Sequence, residues 1–206
     1  MRLLSGILSG YKFKSIIDGD ISLRKRPMDR IIKPLSLMGA NIFAKNSERF
    51  APIYIEGNDL KSICYKMEVD SAQVKSSILF AGLYADSVTK IFENIKTRDH
   101  TERMLKYFGS NISFEDGVIC IEKGELIASD IFIPGDISSA SFFMVLAAGI
   151  DGSEVLIKNV GINETRTGII DVLKCMGVNV ELLNVRENCY EKMCDIKVYG
   201  TSRLRP

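Results

Sequence analysis

The chain has 206 residues, which is enough for one large domain or two small ones with a sizeable core. Its 27 Lys and Arg against 26 Asp and Glu leave a formal net charge of +1, which argues against nucleic acid as a main partner. No apolar run reaches the ~18 residues that a membrane span needs. The five cysteines form no CxxC pair, and the single His100 cannot complete a zinc site with them. We therefore expect no metal, no membrane and a cytoplasmic protein with reduced cysteines.

The first third of the chain predicts two helices and three strands. Apolar residues recur at helical spacing from Met28 to Met38, and Pro27 fits a first helical turn. The helices are predicted over 3–11 and 27–38, and the strands near 15–17 and over 40–44 and 52–55, around a polar turn over 45–49.

The rest of the chain repeats this order of elements. The second stretch predicts helices over 71–85 and 99–108 and strands over 66–69, 89–92, 111–114 and 118–122. The third predicts helices over 138–148 and 166–175 and strands over 131–133, 154–158, 178–183 and 195–199.

Three copies of one supersecondary unit explain this order. A hydrophobic residue followed by Gly closes a helix at Gly39, Gly109 and Gly177, which are spaced by about 70 residues. An arginine precedes the same helix in each copy, at Arg26, Arg98 and Arg166. The pattern predicts an α/β (α+β) protein built from repeated βαβαββ units. Because Met1 falls inside a unit, we expect the chain to be a piece of a longer protein.

The helix start over 70–75 is a candidate anion site. Small residues there leave backbone N–H groups accessible at the positive end of the helix dipole. Ser71 could donate to a phosphate and Gln73 to a hydroxyl. The alternative is that Asp70 or Ser71 only caps the helix.

The helix start over 97–103 is a second candidate. Asp99 and Glu102 have the spacing of a capping box. Capping does not require Arg98, and an arginine beside a helix start suits a fork-like grip on phosphate or carboxylate. His100 could carry a proton, or it could be a packing or capping residue.

Two further polar clusters have less specific interpretations. The cations Arg24, Lys25 and Arg26 precede Pro27, and they form either a solvated turn or a clamp for an acidic ligand. The segment 134–141 reads as a turn followed by an N-cap. No nucleophile–base pair or paired carboxylates can be assigned from spacing, so we name no catalytic residue.

Four motifs occur in order along the chain: GDISLRKRPM over 19–28, DSAQVKS over 70–76, TRDHTERML over 97–105 and PGDISSA over 134–140. Together they resemble the 5-enolpyruvylshikimate-3-phosphate synthase family, the 3-phosphoshikimate 1-carboxyvinyltransferases. Residues 1–4 (MRLL) also resemble the end of that family's glycine-rich segment. The similarity extends through essentially the whole chain.

The resemblance implies an enolpyruvyl transferase fold, an inside-out barrel of two lobes with three βαβαββ units each. It implies transfer of the enolpyruvyl group of phosphoenolpyruvate to the 5-hydroxyl of shikimate 3-phosphate, without metal or cofactor. Arg26 resembles the arginine that holds phosphoenolpyruvate. Ser71, Ala72 (through its backbone), Gln73 and Arg98 resemble contacts to shikimate 3-phosphate, and Gln73 could touch both ligands.

The same resemblance implies that only half of an active site is present. The family's catalytic aspartate and its later lysine, glutamate and arginine clusters have no counterpart in the chain. We expect most of a first lobe over 1–150, a hinge at Asp151-Gly152 and part of a second lobe over 151–206. We also expect an intact enzyme that is monomeric and a fragment that self-associates.

Two alternatives stay open at this stage. A transferase acting on UDP-N-acetylglucosamine would share the fold, but no cysteine lies in a Gly- or Pro-rich loop near Arg24 to supply its reactive thiol. The other alternative is a non-catalytic ligand-binding remnant.

Overall fold

The computed structural model describes residues 1–46, 49–115 and 117–205, apart from the side chains of residues 45 and 46. The chain divides into two compact units, Met1–Ala128 and Ser129–Pro206. The turn predicted over 45–49 includes residues 47 and 48, which lie outside the described residues. The predicted lobe boundary near Ile150 concerns the complete family fold and stays a prediction.

The first unit contains five helices and seven strands in its described part. The helices are α1 (Arg2–Ser9), α2 (Ile21–Arg24), α3 (Asp29–Leu37), α4 (Ala72–Gly82) and α5 (His100–Tyr107). The strands are β1 (Lys14–Ile17), β2 (Asn41–Asn46), β3 (Phe50–Glu56), β4 (Cys64–Lys66), β5 (Thr89–Phe92), β6 (Ile112–Glu115) and β7 (Val118–Ile121).

The second unit contains two helices and three strands in its described part. The helices are α6 (Ile137–Ala148) and α7 (Gly168–Cys175), and the strands are β8 (Glu154–Gly161), β9 (Asn179–Asn188) and β10 (Glu191–Tyr199).

The three predicted copies appear as three sheets with one shared topology. Their orders are β1-β3-β2, β4-β5-β7-β6 and β8-β10-β9. In each sheet the last strand of the copy lies between the two preceding ones and pairs antiparallel with both. Only the middle copy adds a further strand, β4, which pairs parallel with β5. The repeat read from the sequence is confirmed.

The hydrophobic-Gly signal marks the same helix end in all three copies. Gly39, Gly109 and Gly177 have φ of +90°, +79° and +84°, values that side-chain-bearing residues rarely adopt. After α3, the N–H of Gly39 donates to the carbonyl of Ser36, and that of Ala40 to the carbonyl of Leu35. The same pair of bonds follows α5 and α7, so each helix ends in a Schellman motif.

The strand predicted over 131–133 is not formed. Its side chains are exposed, and the bridge to the neighbouring strand β8 lies two residues later, where Gly135 pairs parallel with Val160. The apolar run has the composition of a strand, but no adjacent ladder pairs with it. An apolar triplet alone cannot provide those hydrogen bonds.

Helix α2 and the β9–β10 hairpin also differ from the sequence prediction. Helix α2 was not predicted, and it begins where the Asp20 carboxylate accepts a bond from the Leu23 N–H at 2.7 Å. Strands β9 and β10 are longer than predicted, because they are joined by a turn in which Cys189 and Tyr190 both have positive φ. That turn lacks the Asn-Gly signature by which such hairpins are recognised.

Helix α4 forms the centre of the first unit. Ile78, Leu79 and Ala81 are fully buried, and the helix packs against α1, α3 and α5. It is buried on nearly all sides, as expected of a helix enclosed by other elements. None of the described helices has the length and apolar character required to cross a bilayer.

Candidate anion-binding site

The starts of three helices in the first unit meet at one side chain. Nη1 of Arg2, the first residue of α1, donates to Oε1 of Gln73 at 2.5 Å. Its Nη2 donates to the carbonyl of Pro27 at 3.1 Å. Gln73 lies in the first turn of α4 and Pro27 just precedes α3. One guanidinium group therefore links the amino-terminal ends of α1, α3 and α4.

Close packing of α1 on α4 holds this junction. A Cβ built on Gly6 would lie 2.0 Å from the backbone oxygen of Ser77, so only glycine fits there. Ser5 and Ser9 are fully buried in the same helix, and the Ser9 hydroxyl donates to the carbonyl of Ser5 at 2.8 Å. Small residues along one face of α1 thus permit the approach that brings Arg2 to Gln73.

The junction is strongly cationic. Burial lowers the pKa of the Arg2 guanidinium, and the charges of Arg30 and Arg26 lower it further. Nε of Arg2 is buried and has no hydrogen-bond partner among the described residues. A bound anion would relieve the repulsion among these three guanidinium groups, since opposite charges at short range favour the charged form.

The start of α4 leaves its polar groups available. Ser71 occupies the N-cap position with extended backbone, but its side chain makes no capping hydrogen bond. Ala72 and Gln73 begin the helix, where N–H groups have no intrahelical partner. The capping interpretation of Ser71 is right about its position, but its hydroxyl does not cap the helix.

The start of α5 lies beside the start of α4. The hydroxyls of Ser76 and Thr101 are 2.7 Å apart and join the second turn of α4 to the first turn of α5. Arg98 is exposed and precedes α5 by two residues. Across the described ranges, no carboxylate lies within ion-pair distance of Arg98. Its charge is therefore not neutralised by the part of the chain that is described.

The third copy of the repeat shows how such an arginine is otherwise neutralised. Arg166 precedes α7 as Arg98 precedes α5, and Asp136 is the N-cap of α6 as Ser71 is that of α4. In the third copy, Nη2 of Arg166 lies 3.0 Å from Oδ1 of Asp136. The second copy has Ser71 at that place, so the equivalent ion pair cannot form.

Asp136 also confirms the predicted turn and N-cap over 134–141. Its carboxylate accepts bonds from the Ser138 N–H and the Ser139 hydroxyl, both at 3.2 Å. Slight burial alone would raise the pKa of Asp136, but these bonds and the charge of Arg166 outweigh it and hold the pKa below its usual value.

The predicted capping box of α5 is wrong. Asp99 is the N-cap, but its side chain makes no capping bond and instead holds the Arg103 guanidinium at 2.9 and 3.0 Å. Glu102 turns inward to Nζ of Lys75 at 2.5 Å. A buried ammonium group is a stronger attraction for Glu102 than the N–H at its own helix start.

The sequence interpretation missed three charged residues at or under the site. Arg2 belongs to the segment over 1–4 that resembles the family, but it carried no assigned role. Arg30 follows Arg26 by four residues, and this spacing could have indicated it. Lys75 is completely buried, and its position among the apolar residues of α4 was the available signal.

The described residues contain no group of three or more His, Cys, Asp or Glu that could hold a metal ion. The chemistry offered by the site is hydrogen bonding and positive charge. The side chains that the structure brings together are Arg2, Gln73 and the nearby Arg26 and Arg30. The Ser71 start of α4 and the Arg98 start of α5 are joined through Ser76 and Thr101.

Comparison with solved structures identifies the fold class. The enolpyruvyl transferase NikO from Streptomyces tendae superimposes with a TM-score of 0.74 at 13% identity, covering 98% of this chain and 48% of that one. This likeness shows the fold alone. The chain has the fold of enolpyruvyl transferases.

The family follows from closer similarities. A family model described as EPSP synthase (3-phosphoshikimate 1-carboxyvinyltransferase) matches residues 1–201. The EPSP synthase of Acinetobacter baumannii superimposes with a TM-score of 0.87 at 49% identity, covering 98% of this chain and 46% of that one. The chain belongs to the EPSP synthase family.

Curated relatives agree in name and show how much of the protein is present. The 3-phosphoshikimate 1-carboxyvinyltransferases of Geotalea daltonii and Alkaliphilus metalliredigens are each 52% identical over 206 residues. The alignments cover 100% and 98% of this chain and 48% of each relative. The chain therefore spans about half the length of the curated relatives it matches.

Proposed function

We propose that this chain is part of a 3-phosphoshikimate 1-carboxyvinyltransferase and that its first unit binds shikimate 3-phosphate. The complete enzyme would transfer the enolpyruvyl group of phosphoenolpyruvate to the 5-hydroxyl of that substrate, with release of phosphate. Membership of the EPSP synthase family and the shared name of its relatives support the reaction. All five cysteines are free, which supports the cytoplasm as the compartment.

The observation that carries the proposal is the unneutralised Arg98 beside the uncapped start of α4. Arg98 has no ion-pair partner in the described ranges, whereas its counterpart Arg166 is paired with Asp136 at 3.0 Å. A phosphate monoester supplies the missing negative charge and accepts bonds from a hydroxyl and from helix-start N–H groups. Ser71 and the backbone of Ala72 would donate to the same phosphate.

The second part of the site concerns phosphoenolpyruvate. We assign Arg26 to this ligand, and the geometry adds Arg2, which lies close enough to Arg26 for its pKa to be lowered. Gln73 would contact both ligands, because its side chain already accepts from Arg2 at the start of α4.

Binding and turnover should be separable in this chain. None of the assigned residues (Ser71, Ala72, Gln73, Arg2, Arg26 and Arg98) is a carboxylate, histidine or lysine, and the reaction needs general acid and base groups. We expect no measurable phosphate release from phosphoenolpyruvate and shikimate 3-phosphate by the 206-residue chain alone. Release above a no-protein control would overturn the assignment of a binding half-site.

The direct test is a calorimetric titration of shikimate 3-phosphate into the folded chain. We expect binding of this ligand and none of UDP-N-acetylglucosamine, which the alternative transferase would take. Arg98→Ala should weaken binding by about 10- to 100-fold, since a hydrogen bond to a charged group contributes about 1.5–3 kcal/mol.

Arg24→Ala is the matched control. Arg24 is an exposed arginine whose charge is already paired with Asp18, so its removal should leave the affinity unchanged. Equal losses in the two variants would mean that general positive charge, and not Arg98, attracts the ligand. Absence of binding to the wild-type chain would reject this unit as a self-sufficient site.

A further inference from the structure

A buried cluster of charges lies directly beneath the proposed site. The Lys75 side chain is 0% exposed, and its Nζ lies 3.0 Å from Oε1 of Glu93 and 2.5 Å from Oε1 of Glu102. The Glu102 side chain is only 1% exposed and that of Glu93 11%. A lysine so completely enclosed is rare unless it is paired, because removing an ammonium group from water is costly.

The cluster joins α4 to both sides of Arg98. Oε1 of Glu93, just after β5, accepts from the Thr97 N–H at 3.1 Å and from the Thr97 hydroxyl at 2.6 Å. Thr97 immediately precedes Arg98, and Glu102 lies in the first turn of α5 that follows it. Lys75 thus contacts one carboxylate that holds the backbone before Arg98 and one in the helix after it.

The other partner of this arrangement is the ligand-facing start of α4. Lys75 lies one helical turn beyond Ser71, and its N–H donates to the carbonyl of Ser71 at 3.1 Å. The residue that holds the Arg98 segment is therefore in the same first turns that carry Ser71 and Gln73. An apolar side chain could fill this volume but would leave the two carboxylates without an opposite charge between them.

We propose that Lys75 is a positioning residue that sets Arg98 at its distance from the start of α4, through Glu93 and Glu102. This inference rests on the proposed function, because it assigns Lys75 a purpose in binding the phosphate. Lys75 itself does not touch the ligand. A merely structural role would stabilise the unit without any specific link to Arg98.

A double-mutant cycle distinguishes the two roles. Affinity for shikimate 3-phosphate is measured for wild type, Lys75→Met, Arg98→Ala and the combined variant. Lys75→Met should lower affinity about tenfold in wild type, within the range of coupling for contacting networks, and should change nothing further once Arg98 is absent. Equal fold losses in both backgrounds would overturn the proposal and leave the proposed function standing.

Lys12→Met is the matched control for the loss of a lysine ion pair. Lys12 pairs with Asp59 at 2.8 Å, and both side chains are largely exposed. This variant should bind shikimate 3-phosphate as wild type does. A loss equal to that of Lys75→Met would show that affinity responds to any lost lysine and would count against a positioning role.

Hydrogen exchange tests the geometry without a ligand. In Lys75→Met we expect loss of protection at the Thr97 amide and at the start of α5, with the amides of β2 and β3 as an internal reference. Unchanged protection at Thr97 overturns the positioning role, even if the wild-type chain fails to bind shikimate 3-phosphate. If Lys75→Met does not fold, Lys75→Met/Glu102→Gln removes one charge of each sign and is measured in its place.

Discussion

Arg98 and Arg166 occupy the same place in two copies of one repeat, but their surroundings differ by one side chain. Arg166 faces the carboxylate of Asp136 at 3.0 Å, and that carboxylate also caps α6. Arg98 has the hydroxyl of Ser71 at the corresponding place. The second copy therefore lacks the carboxylate that neutralises the arginine of the third copy, and this is where we propose that an external anion binds.

This comparison predicts the effect of Ser71→Asp. The new carboxylate should cap α4 and pair with Arg98, as Asp136 caps α6 and pairs with Arg166. Affinity for shikimate 3-phosphate should fall by at least about tenfold, because a like charge now occupies the phosphate position. The free energy of unfolding should stay the same or rise by up to about 1 kcal/mol, the usual contribution of a partly exposed ion pair such as the new one with Arg98. Calorimetry and thermal denaturation measure the two effects.

Asp136→Ser is the reciprocal variant. It should cost stability in the second unit and leave binding by the first unit unchanged. If Ser71→Asp bound the ligand as wild type does, Ser71 and Arg98 would not share a phosphate.

The charges around Lys75 do not balance, and this predicts a pH dependence. One lysine faces two carboxylates, and burial raises the pKa of Glu102 above its ordinary value of 4.5, against the opposing effect of Lys75. The folded chain therefore holds a proton on Glu102 more tightly than the unfolded chain does. The stability that this proton contributes is fully present below pH 4.5. It is lost as the pH rises through the pKa that Glu102 has in the folded chain.

Glu102→Gln isolates the effect. The stability advantage of wild type over this variant should be largest in acid and should shrink as pH rises. Urea unfolding of both proteins across pH values on either side of 4.5 measures the difference, in which the titration of all other groups cancels. A constant difference, or one that grows with pH, would show that the pKa of Glu102 is not raised.

At the scale of elements, the contact between α1 and α4 determines where the site forms. The helices approach so closely that a Cβ on Gly6 would meet the Ser77 backbone at 2.0 Å. The same contact brings Arg2, at the start of α1, to Gln73, at the start of α4. The close packing of α1 on α4 and the Arg2–Gln73 contact therefore depend on one glycine.

Gly6→Ala should separate the two helices. We expect a loss of about 1–3 kcal/mol in the free energy of unfolding, the range for overpacked cores. Binding of phosphoenolpyruvate should weaken, because Arg2 moves away from Gln73. Gly168→Ala is the control, since no atom lies within 4 Å of its Cβ. This control should be neutral or stabilising by about 0.4–1 kcal/mol. Equal stabilities for the two variants would contradict the close contact.

At the scale of the whole molecule, the repeat was predictable because its signals are local. A hydrophobic residue and a glycine end a helix through their own backbone, so Gly39 and its counterparts were readable from sequence. The absence of a strand over 131–133 and the hairpin at Cys189 could not be predicted from sequence, because strand pairing depends on distant residues and the turn lacks its usual signature.

The candidate site was predictable only in part. Ser71, Gln73 and Arg98 were indicated by residue type beside a helix start. Lys75 was not, because the direction of a buried side chain depends on its tertiary partners.

The surface of α6 has consequences for the whole chain in solution. Its inner face is buried at Ala140 and Met144, but Phe142, Phe143 and Leu146 are 78%, 61% and 62% exposed. A helix that is apolar on all sides is ordinarily enclosed, and exposed apolar patches of this kind mark association surfaces. We expect the 206-residue chain to self-associate through this face.

Phe142→Glu should weaken that association, because a charge replaces an exposed aromatic ring. The loss of a central aromatic contact costs about 2 kcal/mol or more, which raises the dissociation constant about 30-fold or more. Val172→Glu is the control. Val172 is 53% exposed on α7, so this substitution introduces the same charge on a different helix. Sedimentation velocity over a concentration series compares the three proteins. If wild type sediments as a monomer at every concentration, or if both variants dissociate alike, the α6 face is not the contact. In the expected case only Phe142→Glu dissociates, because only there does the charge replace an aromatic ring on the exposed apolar face of α6.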